Sequence, residues 1–514
     1  MKHTIWCLLF CACCLQAQPI PITVDFTNRS GGPAIPGPMA GWNGFYAFLG
    51  SSGPAIGGDL QGAQLWNQRY FVELYNYCNA SGCGSLATPP KSFSALDSDL
   101  SDIYNDVGPN TQVTVTIEGV PNDLLLDSGC SGKPTMPSNV TTWANLAAQI
   151  VNHIDQQTTP PYSAIIKAYE ILNEPDGPLF CWPSGYSNQQ KLQGYKSVYA
   201  KAAPDIKNQL STDGKSAMVG GPALCCQRDA AAWLSTGIGT EASFLKDSAT
   251  APYVEFVSAH HYGAQASTWS TEFVNEQATT YRNFANDVYG YILAGSQPNA
   301  SSTPFWINEY DSGTGTASGD GCRFAACNGL FQGVFIADQI ARAYDSNHRM
   351  ARTWMYALYD RDTQVHCMFG IGGPLGTSTC GNSSYPPMPT YHALELINGT
   401  TTNGLDLGSG GYAIQQYSSG QPSDTVTAGW YNSSGNHFYI VNAGANTYSV
   451  EFVFKNTSYT SWTGAGTHLW DSVNNPTHIF SQSITMTKSN TSDWTTSAIT
   501  LPPYSILGVG FDGQ

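Results

Sequence analysis

The segments Ile171-Leu-Asn-Glu-Pro175 and Phe305-Trp-Ile-Asn-Glu-Tyr310 carry the clearest structural signal in this 514-residue chain. In both, a glutamate follows an apolar, β-branched run that is typical of a buried strand. In a parallel β/α protein, functional side chains lie where the strands end. We therefore expect Glu174 and Glu309 to meet at one end of a sheet as a candidate catalytic pair.

Short β-branched runs alternate with longer amphipathic segments between about residues 41 and 399, as in a parallel sheet with crossover helices. The predicted strands are Trp42–Phe48, Tyr70–Tyr77, Gln112–Glu118, Ile165–Asn173, Ala217–Pro222, Val254–His261, Phe305–Glu309 and Arg352–Leu358. This number of strands predicts an α/β fold of the (β/α)8 TIM barrel type. The second strand is the least regular, and residues Gln64–Asn76 are also compatible with a single helix.

The clearest predicted helices lie between these strands. They are Ala95–Asp106, Thr141–Gln156, Gln189–Leu210, Asp229–Lys246, Thr271–Leu293 and Phe324–Ser346. Pro204 is expected to kink or split the third of them, because proline removes a backbone donor and clashes with the preceding turn.

Helical periodicity stops after about Gly399, and short alternating runs separated by turn residues follow. These runs are His437–Val441, Ser449–Phe454, Thr467–Trp470, Ile479–Thr485 and Leu501–Phe511. They predict an antiparallel β-sandwich appended to the barrel. The run Ile20–Phe26 precedes the first barrel strand and is expected to join this sandwich. The resulting division is 1–17 signal peptide, 18–40 N-terminal strand, 41–399 catalytic barrel and 400–514 β-sandwich.

The first residues are typical of a cleavable secretory signal, with Lys2 at a polar start and an apolar run from Ile5 to Leu15. We expect a secreted, extracellular protein whose mature chain begins near Gln18. A lipid anchor is the alternative interpretation, but the residues before its candidate cysteines fit a lipobox poorly. Those cysteines are Cys11, Cys13 and Cys14.

The chain has fourteen cysteines, and ten remain once the four in the predicted signal are removed. An even number of cysteines in an exported chain indicates disulfides. Three short pairs are candidate loop staples: Cys78 with Cys83, Cys322 with Cys327, and Cys367 with Cys380. The pairing of Cys130, Cys181, Cys225 and Cys226 stays open at the level of sequence. Their spacing matches no zinc motif, and no metal is expected.

The formal net charge is −16, and only 11% of residues are charged. No basic patch is available for nucleic acid or an anionic membrane, so neither is expected as a partner. The oligomeric state stays open.

Cleavage of a glycosidic bond requires a proton donor to the leaving oxygen and a nucleophile or base on the opposite face of the sugar. Glu174 and Glu309, after strands four and seven, can supply these roles without a cofactor. Asn173 can donate a hydrogen bond to a sugar hydroxyl. Taken alone, this segment could instead begin a helix, with Asn173 as its N-cap and Pro175 in its first turn.

At these positions the chain resembles the retaining glycosidases of glycoside hydrolase clan A. The runs Ser258-Ala-His-His-Tyr-Gly263 and Arg352-Thr-Trp-Met-Tyr356, at the ends of strands six and eight, also fit. A barrel plus a sandwich ending in Leu501-Pro-Pro-Tyr-Ser505 is similar to the β-xylosidase/α-L-iduronidase-like family and its arabinofuranosidase relatives. Those relatives usually carry an Arg or His inside strand two, where this sequence has Phe71-Val-Glu-Leu74.

The resemblance implies a double-displacement hydrolase in which Glu309 is the nucleophile and Glu174 is the acid/base. That mechanism requires carboxyl groups about 5 Å apart. It also requires a raised pKa for Glu174 that falls once Glu309 is neutralised.

Further side chains are expected to contact the sugar. Only one of His260 and His261 can face the barrel mouth, because they alternate along one strand, and we favour His261 together with Tyr262. Aromatic faces stack on sugar C–H bonds, so the candidates for such contacts are Trp42 with its neighbour Asn43, Trp182 and Trp354. Glu118 is a further candidate, which can bind a sugar hydroxyl or an arginine.

Two alternatives stay open. A non-catalytic carbohydrate-binding or adhesion protein on a barrel scaffold predicts that one of the two glutamates is displaced or sequestered in a salt bridge. An inverting hydrolase on the same fold would use the same pair of carboxylates. A neutral polysaccharide or oligosaccharide is the expected partner, because the net charge of −16 disfavours a strongly anionic one. The sugar, the linkage and the choice between endo and exo action do not follow from the sequence.

Overall fold

The computed structural model describes sixteen stretches of the chain, and every structural statement below concerns these residues. They are 18–27, 34–35, 40–44, 53–77, 93–157, 160–225, 227–262, 271–311, 332–345, 350–355, 389–399, 404–409, 411–414, 416–418, 421–471 and 475–513. The predicted signal peptide lies outside them.

The three candidate loop staples also lie outside the described residues. The first pair is Cys78 and Cys83, the second is Cys322 and Cys327, and the third is Cys367 and Cys380. None of these six cysteines is described, so the three pairings stay predictions.

Two strands, β1 (Ile20–Asp25) and β2 (Ala34–Ile35), precede a closed barrel. The barrel strands are β3 (Ala40–Gly44), β4 (Asn67–Glu73), β5 (Gln112–Glu118), β6 (Ile166–Ile171), β7 (Met218–Leu224), β8 (Phe256–Tyr262), β9 (Phe305–Asp311) and β10 (Met350–Met355). Each pairs in parallel with its neighbours, and β10 closes the barrel by pairing with β3. The predicted parallel β/α barrel is confirmed.

The second barrel strand differs from its prediction. The strand β4 begins at Asn67, so residues 64–76 do not form a single helix, and Arg69 lies within the strand. The side chain of Tyr70 points outward and donates to Asp99 of the helix layer, whereas Arg69 points into the barrel and contacts Glu170. A polar residue on the inner face hid this strand from a prediction based on apolar runs.

The helices are α1 (Gly53–Gly62), α2 (Ser94–Asp102), α3 (Val140–Gln156), α4 (Asn188–Thr212), α5 (Gln227–Ala231), α6 (Thr271–Leu293), α7 (Gln332–Asp345) and α8 (Pro389–Asn398). The helix α4 starts with a capping box between Ser187 and Gln190, and it contains Pro204 without being split. The helix predicted at Asp229–Lys246 is much shorter. After α5 one π-helical turn runs to Thr236, and Gly237 at a φ of 77° ends it.

Among the residues that the structure describes, eleven further strands follow α8. They are β11 (Gly411–Ala413), β12 (Gln416–Ser418), β13 (Thr425–Asn432), β14 (Gly435–Asn442), β15 (Tyr448–Lys455), β16 (Trp462–Asp471), β17 (Asn475–Ser483), β18 (Met486–Lys488), β19 (Trp494–Thr496), β20 (Ile499–Leu501) and β21 (Ser505–Gly513). They form two sheets, of which one contains β1 and the other contains β2.

The two sheets share one hydrophobic cluster. It includes Phe438 of β14 and Phe452 of β15, whose ring centroids lie 6.0 Å apart. The N-terminal strand β1 pairs in parallel with β15 and antiparallel with β12, so this sheet is mixed and not purely antiparallel. The hydroxyl of Tyr439 in β14 donates to Ala337 of α7, which joins this region to the barrel. The domain boundaries and the β-sandwich stay predictions.

No helix among the described residues is both long and apolar enough to cross a membrane.

Candidate active site

The backbone turns sharply after β6 and so aims Glu174 over the barrel mouth, where the strands end. Leu172 and Glu174 have φ values of 62° and 48°, a left-handed conformation that non-glycine residues rarely adopt. Two hydrogen bonds hold this turn, from Leu172 to Ile117 at 2.9 Å and from Glu174 to Ala223 at 3.0 Å. Strain of this kind concentrates at functional sites. No helix begins here, so Asn173 is not an N-cap.

A β-bulge in β9 orients Glu309. The pairing of β8 with β9 shifts by one residue at Asn308, so consecutive side chains both reach the barrel interior. Asn308 Nδ2 donates to Glu170 Oε1 at 2.6 Å, and Glu309 Oε1 accepts from Arg69 Nη1 at 2.5 Å. Without the bulge, one of these two neighbours would face the helices.

His260 connects the two glutamates. Its Nδ1 atom lies 2.7 Å from Glu174 Oε1 and 3.4 Å from Glu309 Oε2. The nearest imidazole and carboxylate atoms of the three residues all lie within 4.8 Å of one another. Side chains from three strand ends therefore meet in one small volume.

The choice of His261 as the histidine at the mouth needs correction. His261 is fully buried, and its ring packs on Tyr281 and Phe284 of α6 at centroid distances of 4.9 and 5.8 Å. Because side chains alternate along β8, His260 faces the interior instead. Burial lowers the pKa of His261 to about 3, so this ring stays neutral.

Arg69 is the residue that the sequence analysis missed. Its guanidinium is fully buried, forms salt bridges of 2.5 Å with both Glu170 and Glu309, and donates to Asn173 Oδ1 at 2.7 Å. The expected departure at strand two is therefore wrong, because an arginine does occupy that strand. Beginning the strand three residues earlier, within Asn67-Gln-Arg-Tyr70, would have found it.

The proton in this cluster favours His260 over Glu174. Burial opposes ionisation of both residues, but the charge of Glu309 and the hydrogen bond to Glu174 raise the pKa of His260. For Glu174, burial alone would raise the pKa, but the hydrogen bond from His260 and the charge of His260 outweigh burial, and the pKa of Glu174 is lowered. The expectation of a raised pKa for Glu174 is thus wrong for the unliganded site.

Glu118 lies at the end of β5, two residues beyond Thr116, whose hydroxyl donates to Glu170 inside the barrel. By strand alternation Glu118 faces the same interior, one layer nearer the mouth. Burial, and then the charge of its neighbour Glu73, raise the pKa of Glu118 to about 8. A neutral carboxyl group therefore lies beside the charged cluster near pH 7.

The tryptophan candidates separate into three cases. Trp42 is fully buried, and its Nε1 donates to the carbonyl of Leu65 at 3.0 Å, so its ring lies in the core and not at the mouth. Trp182 is half-buried in the loop after Glu174, and its Nε1 donates to Pro175 at 2.8 Å. The backbone of Trp354 lies in β10, but its side chain is outside the described residues.

The side chains of Asn43 and Tyr262 also lie outside the described residues, although their backbones belong to β3 and β8. Their predicted contacts with the sugar stay predictions.

The open question of cysteine pairing is answered for two cysteines. Cys130 and Cys181 form a disulfide that links the loop after β5 to the loop after β6. Cys226 lies outside the described residues.

The cluster of Glu174, His260 and Glu309 has the donor types that hold a transition metal. However, the guanidinium of Arg69 already forms a salt bridge with Glu309 at 2.5 Å. A metal cation would have to enter beside this fixed positive charge. The arrangement therefore suits acid/base and nucleophilic chemistry better than metal binding.

The chain matches no family model and no curated protein. It does share its fold with solved glycoside hydrolases. A family 30 subfamily 8 xylanase from Clostridium acetobutylicum aligns with a TM-score of 0.62 and 12% identity, over 96% of this chain and 100% of that chain. A family 39 β-xylosidase from Caulobacter crescentus aligns with a TM-score of 0.59 and 11% identity, over 95% of this chain and 99% of that chain.

An α-L-arabinofuranosidase from Thermotoga maritima aligns with a TM-score of 0.61 and 11% identity, over 96% of this chain and 100% of that chain. Identities this low establish a common fold alone. That fold covers nearly the whole chain, including the sheets that follow the barrel.

Proposed function

We propose that this protein is a retaining glycoside hydrolase that cleaves neutral polysaccharides or oligosaccharides, as a β-xylosidase-like enzyme or an endo-β-glycanase. One observation carries the proposal: Glu174 and Glu309 reach within 4.8 Å of each other around His260 at the barrel mouth. This spacing fits double displacement, which needs carboxyl groups about 5 Å apart, better than inversion, which needs room for a water molecule. The common fold adds support.

In the first step, Glu309 attacks the anomeric carbon while the bond from that carbon to the leaving oxygen breaks. Glu174 donates its proton to that oxygen, which leaves a glycosyl ester on Glu309. In the second step, Glu174 removes a proton from water, and the resulting hydroxide displaces Glu309 from the anomeric carbon. Water is consumed and both carboxyl groups return to their starting state.

His260 explains how Glu174 can act as an acid although its pKa is lowered in the free site. The two side chains share one proton across 2.7 Å, and the charge of Glu309 helps to hold that proton on His260. While Glu309 bonds to the anomeric carbon, its charge falls and the pKa of His260 falls with it, so the proton passes through Glu174 to the leaving oxygen in that same step. Glu174 is then ionised in the glycosyl-enzyme, accepts a proton from the attacking water and passes it back to His260.

Secretion is part of the proposal and depends on the predicted signal. The competing function is that of a non-catalytic carbohydrate-binding protein. It predicts that one glutamate is withdrawn from the site. Arg69 does form a salt bridge with Glu309, but Glu309 stays within reach of His260 and is not withdrawn from the mouth.

The test begins with wild-type protein and a screen of arabinoxylan, β-glucans, mannans, galactans and aryl glycosides. Glu174→Gln should then abolish turnover of substrates with poor leaving groups, and azide should restore turnover of activated aryl glycosides. Glu451→Gln, in strand β15, is the matched control and should behave as wild type. Unchanged hydrolysis by Glu174→Gln would remove Glu174 from its role. NMR of the first-formed anomer separates retention from inversion.

A further inference from the structure

A further buried glutamate lies inside the barrel, next to Arg69. Glu170 of β6 is fully inaccessible to solvent and accepts five hydrogen bonds from four side chains. Arg69 donates from Nε at 2.8 Å and from Nη2 at 2.5 Å. Thr116, Ser258 and Asn308 donate at 2.8, 2.5 and 2.6 Å. Both carboxylate oxygens of Glu170 therefore have hydrogen-bond donors.

Arg69 therefore lies between two carboxylates and not one. It contacts Glu170 on one side and Glu309 on the other, both at 2.5 Å and all three buried. One positive charge thus faces two negative charges in a region of low dielectric constant. Glu309 alone would already balance the charge of Arg69, so Glu170 adds a second negative charge to the same guanidinium.

We propose that Glu170 is the permanent counter-charge of Arg69, a positioning residue that lets Glu309 gain and lose its charge during turnover. This inference rests on the proposed function. When Glu309 becomes a neutral ester, Arg69 keeps one carboxylate partner, and no unpaired charge is left inside the barrel. A buried charge that has lost its partner is strongly destabilised.

Loss of the charge on Glu170 has opposite effects on the two chemical steps. In Glu170→Gln, free enzyme keeps the pair of Arg69 and Glu309, but the glycosyl-enzyme leaves Arg69 unpaired. The intermediate is destabilised relative to free enzyme. Formation of the ester slows and its hydrolysis accelerates, whereas misfolding or a displaced site would lower both rates.

The experiment uses 2,4-dinitrophenyl 2-deoxy-2-fluoro-β-xyloside, or the corresponding glucoside or arabinofuranoside if wild type turns over that aryl glycoside instead. Inactivation reports formation of the ester, and recovery of activity after removal of excess reagent reports its hydrolysis. We expect Glu170→Gln to be inactivated roughly 100-fold more slowly than wild type and to recover faster. Thr116→Val removes one hydrogen bond to Glu170 and one from Arg69 but keeps both charges, so the ratio of its two rates should stay within about twofold of wild type.

Equal slowing of both rates in Glu170→Gln, or no change in either, overturns the inference. If Glu170→Gln does not fold, Glu170→Asp withdraws the charge by one methylene, and both shifts should keep their direction and become smaller. Equal slowing of both rates in that variant also overturns it. Wild type that turns over no glycoside and forms no ester on Glu309 refutes the proposed function itself, whereas turnover with equal slowing refutes this inference alone.

Discussion

The Nδ1 atom of His260 lies 2.7 Å from Oε1 of Glu174, inside the barrel mouth. These two residues form a cluster with Glu309. Its consequence is electrostatic, because the net pKa of His260 is raised and that of Glu174 is lowered. The free site therefore stores its proton on an imidazole and not on the proposed acid.

Replacement of His260 by Asn should move the alkaline limb of kcat/KM to lower pH. In wild type the proton is lost only above the raised pKa of His260, whereas in the variant a carboxyl group must hold it. We also expect kcat to fall by roughly 100-fold, the scale of lost acid/base assistance. The measurement is the pH dependence of kcat/KM on an aryl glycoside. An alkaline limb that stays in place would contradict the shared proton.

Replacement of Arg69 by Met should destabilise the whole protein. It leaves Glu170 and Glu309 buried without their common cation, and removal of one partner from a buried ion pair costs about 3–5 kcal/mol. Urea denaturation followed by circular dichroism gives the free energy of unfolding. The matched control is Lys201→Met, which removes a partly exposed pair with Asp205 and should cost less than about 1 kcal/mol. Equal losses in the two variants would refute the buried network.

Replacement of Glu118 by Gln should stabilise the protein at alkaline pH. In the folded protein the pKa of Glu118 is raised to about 8, so the fold keeps a proton that the unfolded chain releases at its ordinary, lower pKa. Wild-type stability contributed by this group is thus complete below the unfolded pKa and is lost as pH rises toward about 8. The Tm of Glu118→Gln should exceed that of wild type at pH 8 and match it at pH 4. Parallel Tm curves would argue against burial of this carboxyl group.

The disulfide between Cys130 and Cys181 should stabilise the loops after β5 and β6. It closes a loop with a sequence separation of 51 residues, for which the chain-entropy model gives about 4 kcal/mol. A double replacement by Ala should lower the free energy of unfolding by about that amount, measured without reductant. If mild reduction destabilises the double variant as much as wild type, the disulfide between Cys130 and Cys181 is not the source of the stabilisation that reduction removes.

Chelation should leave activity unchanged. The chemistry proposed for Glu174 and Glu309 uses only their own protons and electron pairs, and Arg69 already supplies the positive charge beside Glu309. Prolonged dialysis against EDTA, followed by a rate measurement with and without added Zn²⁺ or Mn²⁺, tests this. Loss of activity that returns with a metal would reassign the cluster as a metal site.

Parts of the site were predictable because strand ends are local signals. The segment Gln112–Glu118 forms a strand with the predicted bounds. Glu174 follows β6, and Glu309 lies near the end of β9. Arg69 was missed because its strand is polar on the inner face, where a charged residue is tolerated only through partners distant in the chain. No local pattern announces such partners.

The choice between His260 and His261 shows the same limit. Both belong to one strand, and alternation alone requires that they point to opposite faces. Which face is the interior is decided by contacts with other strands and helices: Ser258, two residues before His260, donates to Glu170 inside the barrel, whereas His261 packs on Tyr281 of α6. Both histidines lie in one short run, so hydrophobic periodicity does not distinguish them.

The sequence by itself determined the alternation of strands and helices and the placement of two glutamates at strand ends, because periodicity and turn residues are written locally. Tertiary structure alone decided which histidine meets those glutamates and that Arg69 lies between Glu170 and Glu309. It also decided which member of the pair of His260 and Glu174 holds the proton. Those outcomes depend on burial and on charges brought together from separate strands. Electrostatic energies of that kind exist only once the barrel has closed and excluded water.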